Sequence, residues 1–323
     1  MSNEIVRICS TKIYPDFNQE GPTQSPLPTG IIRAAFYTEK LWPKGSEITI
    51  SFVGDPSRIK TSPSVDSTED PLEPQIKNMD FREAIKKIVM ERIQPLVNVK
   101  FVFLPDKTSS ALIRIDFDPN RGSWSLLGTD CKNNKDSATM NFAWKDCGTV
   151  IHEFGHALGM IHEHQNPRNN KIHWDKEKVY AWAEETQGWS KQETDTNILN
   201  AYDIDHINGF DFDPLSVMLY FFPASLTTDN KGTQQNLRLS GNDVLWISRM
   251  YPVDKGISPE AYYQNTYNES LDSSIQKSKE LALSGLNSSS NSSSYNFIKF
   301  LAFGVGCVLV YIFITRVLLK KKV

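Results

Sequence analysis

The chain has 323 residues, of which 39% are hydrophobic, and a formal net charge of -3 at pH 7. This is enough apolar material for the core of one large domain or two small ones. Seventeen Phe, seven Trp and ordinary Gly and Pro counts exclude collagen-like, coiled-coil and wholly disordered chains. The near-zero charge argues against a nucleic-acid binder, which would carry a basic surplus.

Residues 1–29 form a polar, proline-containing leader. The leader has no apolar stretch of the kind that a secretory signal peptide requires, so the sequence predicts no cleavable signal there.

Residues 30–252 are predicted to form one domain that contains both helices and strands. Alternating apolar residues indicate the strands, and apolar residues at helical spacing indicate the helices. After residue 164 the pattern is irregular until a final helix. The predicted strands are 48–53, 99–104, 111–117, 123–128 and 138–144, and the predicted helices are 76–93, 148–164 and 242–250.

The C-terminal part of the chain changes character twice. Residues 253–296 include a Ser/Asn tract, which predicts an unfolded stalk because such a composition buries too little apolar surface. Leu271, Ile275 and Leu281 indicate a weak helix before the tract. Residues 297–319 are predominantly apolar and long enough to predict a transmembrane helix, followed by a basic tail at 320–323. The alternative is a buried helix of a soluble domain, which would normally show more of a polar face.

A cluster of metal-ligand residues lies on the predicted helix 148–164. His152 and His156 are four residues apart, so a helix places both imidazoles on one face, where they can bind one Zn²⁺. Glu153 follows the first of them and can reach a water at the metal. Gly159 allows a sharp turn that returns His162 as a third ligand. Three protein ligands leave a coordination position open, which is typical of a catalytic zinc ion.

The segment HEFGHALGMIH resembles the signature of the metzincin zinc proteases. Glu163 directly follows the third histidine, which resembles the pattern of the astacin branch. Residues 216–220 (SVMLY) resemble the astacin Met-turn. The resemblance implies that Met218 lies beneath the metal site. It also implies that Tyr220 is a switchable zinc ligand that helps to stabilise the transition state. LWPKGSEITISF, GSWSLLGTD and SRMYP extend the resemblance to compact astacin-like enzymes of bacteria and fungi.

The resemblance implies an α+β, two-lobed metzincin domain. A twisted mixed sheet and two long helices are expected above the cleft, and an irregular lower lobe with a C-terminal helix below it. An edge strand of the upper lobe is expected to bind a peptide or protein substrate by strand addition. The segment around 138–144 is the predicted position of that strand.

The activity implied is that of an endopeptidase with one catalytic Zn²⁺. Zinc lowers the pKa of its bound water to about 7, and Glu153 acts as the general base. Zinc and Tyr220 are expected to stabilise the tetrahedral oxyanion. Two alternatives stay open: a catalytically idle binding module tethered to a membrane, and a metal-dependent hydrolase of a non-peptide substrate.

Three features depart from animal astacins. Residues 52–55 match the FxGD motif of an inhibitory prosegment, but their position favours a plain strand end. Glu163 then needs a partner other than a newly exposed amino terminus, such as a local hydrogen bond. Residue 219 is Leu where animal astacins have His, which favours the compact subgroup.

Two further questions have two answers each at this stage. Cys131 and Cys147 flank a short loop and could form a disulfide or remain free thiols.

The C-terminal span, without an N-terminal signal, predicts tail anchoring in an organelle or viral membrane with the protease facing the cytosol. Arg316 and the three lysines after it favour the opposite orientation by the positive-inside rule. We prefer tail anchoring, because long domains do not translocate on charge bias alone.

Overall fold

The computed structural model describes residues 10–12, 36–59, 70–208 and 211–284. Strands and helices are labelled here in chain order. The strands are β1 (Ser10–Lys12), β2 (Phe36–Tyr37), β3 (Glu47–Phe52), β4 (Lys100–Phe103), β5 (Ile113–Asp116), β6 (Trp124–Leu126), β7 (Met140–Asn141) and β8 (Ile207–Asn208). The helices are α1 (Glu73–Ile76), α2 (Phe81–Ile88), α3 (Cys147–Ala157), α4 (Lys176–Gln187), α5 (Lys191–Thr194), α6 (Gly241–Met250), α7 (Pro259–Tyr267) and α8 (Leu271–Ser284).

A mixed sheet and two packed helices confirm the predicted α+β class. The sheet has the order β1-β6-β7-β5-β3-β4, and only the β6–β7 pair is antiparallel. Its apolar side chains pack against α2 and α3. In α2 the buried residues Phe81, Ala84, Ile85 and Ile88 follow the helical spacing that the sequence predicts. Ile50 and Ile115 of the sheet are fully buried in the same core.

The predicted helix 76–93 is divided into two in the structure. Helix α1 ends at Ile76, and α2 begins at Phe81 after Asp80, whose carboxylate accepts a hydrogen bond from the Arg82 N–H. The first N–H groups of a helix have no carbonyl partner within the helix. An N-cap side chain accepts from one of them and so stabilises the start of a helix. The apolar pattern runs across this break because both segments face the same core.

The predicted substrate edge at 138–144 is wrong. Its strand, β7, lies inside the sheet between β5 and β6. The antiparallel strand next to it, β6, is paired on its other side with β1 from the leader, in parallel register from Ser10 opposite Trp124 to Lys12 opposite Leu126. Alternation of side chains predicts a strand but cannot order the strands, because order is decided by pairing across the sheet.

The segment after the third histidine contains a helix that the sequence analysis missed. Helix α4 begins after Asp175, which caps it, and ends at Gly188, which has a φ of +69°. An Asp N-cap and a left-handed Gly after the last turn are ordinary helix signals. They were missed because α4 buries only Val179 and Ala183, so its apolar periodicity is weak.

The predicted stalk differs most from the structure. Its described part, residues 253–284, contains α7 and α8, and both pack on the domain through buried Tyr262, Tyr263, Tyr267 and Leu271. The stalk prediction was wrong here because it extended the character of the Ser/Asn tract over an aromatic segment that precedes it. The weak helix expected at Leu271, Ile275 and Leu281 is confirmed as α8. We call α7 and α8 together the C-terminal hairpin.

A buried ion pair lies beneath the hairpin. Asp70 and Arg92 form a two-pronged pair with side chains 1% and 8% exposed. The Tyr262 hydroxyl donates to the Arg92 carbonyl over 2.6 Å, and the Arg92 guanidinium lies 6.0 Å from the Tyr267 ring centroid. Hydrogen bonds and ring contacts therefore add to apolar packing in attaching the hairpin.

The two cysteines before and at the start of α3 are free thiols in this structure. Cys131 and Cys147 are both buried. Burial raises the pKa of Cys131 to about 12 and raises that of Cys147 as well, so neither is a ready thiolate at neutral pH.

Several predictions concern segments outside the described residues. They are the leader apart from residues 10–12, the Ser/Asn tract at 285–296, the transmembrane helix at 297–319 and the basic tail at 320–323. Within the described ranges, none of the helices has the length and apolar character needed to cross a bilayer. The domain boundaries at residues 30 and 252 stay predictions.

Candidate metal centre

Helix α3 carries the first two histidines and is buried along its whole length. Asp146 caps it by accepting a hydrogen bond from the Thr149 N–H over 2.6 Å. All eleven residues of Cys147–Ala157 are buried, including the apolar Val150, Ile151 and Phe154. The helix is thus held on every side, and His152 and His156 lie one turn apart in fixed positions.

A glycine turn returns the third histidine to the same place. The Gly159 N–H donates to the His156 carbonyl over 2.8 Å, and Gly159 has a φ of +95°. A residue with a side chain would be strained in that conformation. The chain then reverses, so that the Nε2 atoms of His156 and His162 lie 2.9 Å apart.

Backbone carbonyls orient two of the imidazoles. His152 Nδ1 lies 2.8 Å from the Val217 carbonyl oxygen, and His156 Nδ1 lies 2.8 Å from the Met160 carbonyl oxygen. Carbonyl oxygens only accept, so both Nδ1 atoms carry the proton and both Nε2 atoms present a lone pair. Backbone acceptors of this kind commonly orient metal-ligating histidines.

The three histidines fit a single metal ion. One nitrogen from each of His152, His156 and His162 lies within 4.8 Å of the others. His152 Nε2 is buried and has no hydrogen-bond partner among the described residues. A buried polar atom in that condition costs about 1–3 kcal/mol unless something binds it. Three imidazole nitrogens are ligands that Zn²⁺ accepts.

Burial keeps these imidazoles neutral. Loss of solvation lowers the pKa of His152 to about 4, and it lowers the pKa of His156 and His162 well below the ordinary value of 6.5. A neutral imidazole is the form that binds a metal. Near pH 7 the site therefore needs no proton removed before a cation binds.

The predicted Met-turn lies against the zinc helix. A Cβ added at Gly155 would come within 2.7 Å of the Met218 sulfur, so the close contact depends on a glycine in the helix. The Tyr220 hydroxyl is hydrogen-bonded to His162 Nε2. Tyr220 is therefore the fourth side chain at the place where the three imidazoles meet.

Glu153 is fully buried on α3, directly after His152. Asp55, the aspartate of the FxGD match, lies instead at the exposed end of β3, where its carboxylate accepts from the Ser57 N–H over 2.9 Å. The structure thus brings Glu153 to the site as a neighbour of a ligand and leaves residues 52–55 as a strand end.

Glu163 has local hydrogen-bond partners, as the sequence predicts. Its Oε1 accepts from Asn166 Nδ2 over 2.9 Å and from the Asp213 N–H over 2.7 Å. Burial raises the pKa of this carboxyl well above its ordinary value, and nearby Asp213 adds to the effect.

His164 is a residue of the site that the sequence analysis did not single out. Its ring centroid lies 5.1 Å from that of His162 and 5.0 Å from that of Tyr220. His164 Nε2 lies 3.1 Å from the Asn197 carbonyl oxygen, and burial lowers the pKa of this imidazole to about 3. It forms a neutral wall beside the metal ligands. Its position two residues after His162 was the available signal.

The fold and the three-histidine group define a metal-dependent peptidase. A family model described as Astacin, a peptidase family, matches residues 73–252, more than half of the chain. The chain belongs to the astacin family, whose members are zinc-dependent, and it is a metalloendopeptidase. His152, His156 and His162 form the group that could hold the zinc ion.

Solved structures agree with this assignment. Two structures of myroilysin are similar to the chain. One has 32% identity and a TM-score of 0.57, covering 68% of this chain and 100% of that one. The other has 30% identity and a TM-score of 0.50, covering 77% and 93%.

A hatching-enzyme zinc protease, high choriolytic enzyme 1 of the medaka Oryzias latipes, has 16% identity and a TM-score of 0.40, covering 66% of this chain and 95% of that one. No curated protein sequence matches the chain significantly.

Zinc affinity should depend little on pH in the weakly acidic range. Protons and zinc compete for the same lone pairs, and burial lowers the pKa of all three imidazoles, that of His152 to about 4, so that they stay unprotonated down to about pH 5.5. We expect the apparent Kd of the chelator-treated protein, measured by calorimetric titration, to change by less than about threefold between pH 7.5 and 5.5. A synthetic peptide of residues 148–164, whose histidines are solvated, serves as control. Weakening of about 100-fold or more in the folded protein, as in such a peptide, would contradict the buried neutral site.

Proposed function

We propose that this chain hydrolyses internal peptide bonds of peptides or proteins, with Glu153 as general base beside a zinc ion held by His152, His156 and His162. The observation that carries the proposal is the convergence of three buried imidazoles, with the buried carboxylate of Glu153 directly after the first of them on the helix. A zinc ion bound there supplies Lewis acidity that makes a water molecule nucleophilic near neutral pH.

The side chains divide the remaining work. Glu153 takes the proton of the attacking water and returns it to the leaving amine. Tyr220, whose hydroxyl is already at the imidazole cluster, donates a hydrogen bond to the oxyanion that develops on the substrate carbonyl. Met218 and Gly159 support the site: one lies against α3 and the other provides the turn to His162.

Substrate binding is proposed at the β6 edge of the sheet. β6 packs on α3 and, apart from the leader strand β1, is the last strand on its side of the sheet, while β4 lies at the opposite edge. An extended peptide can add to such an edge by backbone hydrogen bonds. In this structure that edge is paired with β1. We infer that the leader and the substrate compete for the same backbone groups.

A substitution of the base tests the mechanism. Glu153→Gln keeps the size of the side chain but cannot accept the proton, so kcat/KM for a quenched fluorescent peptide should fall at least about 100-fold. Zinc content, measured by elemental analysis, should stay at one ion per chain. Glu184→Gln, on the exposed face of α4, is the matched control and should keep wild-type activity. Undiminished cleavage by Glu153→Gln would refute the assignment, and loss of zinc would show that Glu153 acts on the ligands instead.

Removal of the leader tests the competition. A chain that starts at residue 30 should cleave the same peptide with a lower KM, by about threefold or more, because the backbone groups of β6 are then available. The kcat should change less, since β1 contacts the sheet edge rather than the imidazoles. An added peptide of residues 1–29 should restore the higher KM. Equal KM values with and without the leader would show that β1 does not compete with substrate.

We also propose that the chain is a single-pass membrane protein, anchored in an organelle or viral membrane by residues 297–319 with the protease domain on the cytosolic side. The support for the anchor is the length and apolar character of that stretch. The cytosolic side is preferred because long domains do not translocate on charge bias alone, although the basic residues after the stretch favour the opposite orientation. Protease added to intact membranes should digest the domain. Complete protection would place the domain in the lumen, and recovery of the chain in the soluble fraction would exclude the anchor.

A further inference from the structure

Two buried serines on α8 of the C-terminal hairpin form hydrogen bonds with other parts of the domain. Ser274 and Ser278 are four residues apart on α8, so they share one face of that helix. Both are buried, at 7% and 0% exposure. The family match ends at residue 252, so both serines lie outside the segment that defines the protease family.

Ser278 donates its hydroxyl hydrogen to Oδ1 of Asp213. Asp213 is fully buried, and its Oδ1 also accepts from the Leu215 N–H over 3.0 Å. The other oxygen, Oδ2, accepts from Ser240 Oγ over 2.7 Å and from Asn242 Nδ2 over 3.1 Å. Helix α8 thus supplies one of the four donors around a buried carboxylate.

Asp213 in turn holds the residue next to the third histidine. Its N–H donates to Glu163 Oε1 over 2.7 Å, and the Glu163 N–H donates to the Met218 carbonyl over 3.0 Å. Glu163 directly follows His162. An unbroken path of hydrogen bonds and peptide links therefore runs from α8 through Asp213 to His162 and to the Met-turn.

A second buried carboxylate holds the other side of the same turn. Asp243 accepts from Ser216 Oγ over 2.7 Å and from the Val217 N–H over 2.9 Å. The Val217 carbonyl is the group that orients His152. The loop from Asp213 to Met218 is therefore fixed at both ends, and Ser278 is the contact that α8 makes with it.

We propose that Ser278 is a positioning residue for the metal site, so that the C-terminal hairpin is a working part of the catalytic unit. This inference rests on the proposed function. Without the hydroxyl, Asp213 Oδ1 loses a donor in a place closed to water, and the carboxylate regains partners only by moving. Its backbone N–H then moves away from Glu163, and the geometry of His162 is loosened.

Ser274 provides the matched control. Its Oγ accepts from the Gly241 N–H over 3.0 Å and from the Tyr263 hydroxyl over 2.9 Å. It is a buried hydroxyl on the same helix, but its contacts join α8 to α6 and α7 and it is not itself a donor to Asp213. Gly241 lies between the Asp213 donors Ser240 and Asn242, so Ser274→Ala loosens the same region of α6 while all four donors to Asp213 stay in place.

The experiment compares Ser278→Ala with Ser274→Ala in the full chain. Loss of an outer partner of metal ligands typically costs about 10–100-fold in activity or metal affinity. Ser278 acts one step further out, so we expect kcat to fall about tenfold with KM within about twofold of wild type. Ser274→Ala should keep kcat within about twofold while showing a comparable fall in Tm.

A second readout needs no activity. In chelator-treated protein, amide hydrogen exchange should become faster at Asp213, whose N–H is bonded to Glu163, in Ser278→Ala but not in Ser274→Ala. Ser278→Cys, with a weaker donor of similar size, should lie between wild type and Ser278→Ala in both readouts. If Ser278→Ala does not fold, Ser278→Cys is compared with Ser274→Ala in its place.

The proposal requires both effects. It is overturned if the two alanine variants lose kcat equally, if Ser278→Ala keeps wild-type kcat, or if exchange at Asp213 is unchanged. Undiminished cleavage by Glu153→Gln would instead refute the proposed function and leave the exchange result interpretable by itself.

Discussion

The hydrogen bonds from two imidazole Nδ1 atoms to backbone carbonyls are the interactions on which the rest of this site depends. They fix the tautomers of His152 and His156, and so they direct two Nε2 lone pairs towards His162. Burial alone would make the imidazoles neutral without aiming them. One carbonyl, that of Met160, comes from the turn after α3. The other, that of Val217, comes from a loop more than sixty residues later.

That second carbonyl explains why so many buried polar groups lie behind the Met-turn. Val217 can hold His152 only if its own loop is held, and Asp243 and the Glu163–Asp213 pair do this from two sides. Buried carboxylates are costly unless they are well hydrogen-bonded. Here Asn242 of α6, its N-cap Ser240 and Ser278 of α8 supply side-chain donors, and the loop itself supplies backbone donors. Elements far from the imidazoles therefore share in the geometry of the ligands.

The relation between β6 and β1 follows from a different constraint. A strand at the edge of a sheet presents unpaired backbone groups and accepts whatever extended segment is near. In a peptidase that binds substrate at such an edge, a segment of the same chain can fill the position. Under the proposed function, the parallel pairing of β1 with β6 bears on access to the site as well as on stability.

The residues of the candidate site were predictable where they lie close together in the sequence. Three histidines, Glu153 and Gly159 fall within eleven residues, and helical spacing relates them before any tertiary contact is known. The Met-turn residues Met218 and Tyr220 needed family resemblance, because SVMLY by itself is typical of an apolar strand. His164 was missed because its position two residues after His162 indicates nearness to the site but does not distinguish a wall residue from an ordinary buried histidine.

By itself the sequence determined that the domain combines helices and strands, the approximate positions of the sheet strands and the zinc helix, and the three histidines of the metal group, because each depends on residues within about one or two turns or one strand. Only the tertiary structure decided that β7 is interior, that β1 covers β6, that the supposed stalk begins as a docked hairpin, and that Ser278 reaches Asp213. These depend on pairing and packing between segments distant in the chain, where the energy lies in contacts that no local pattern encodes.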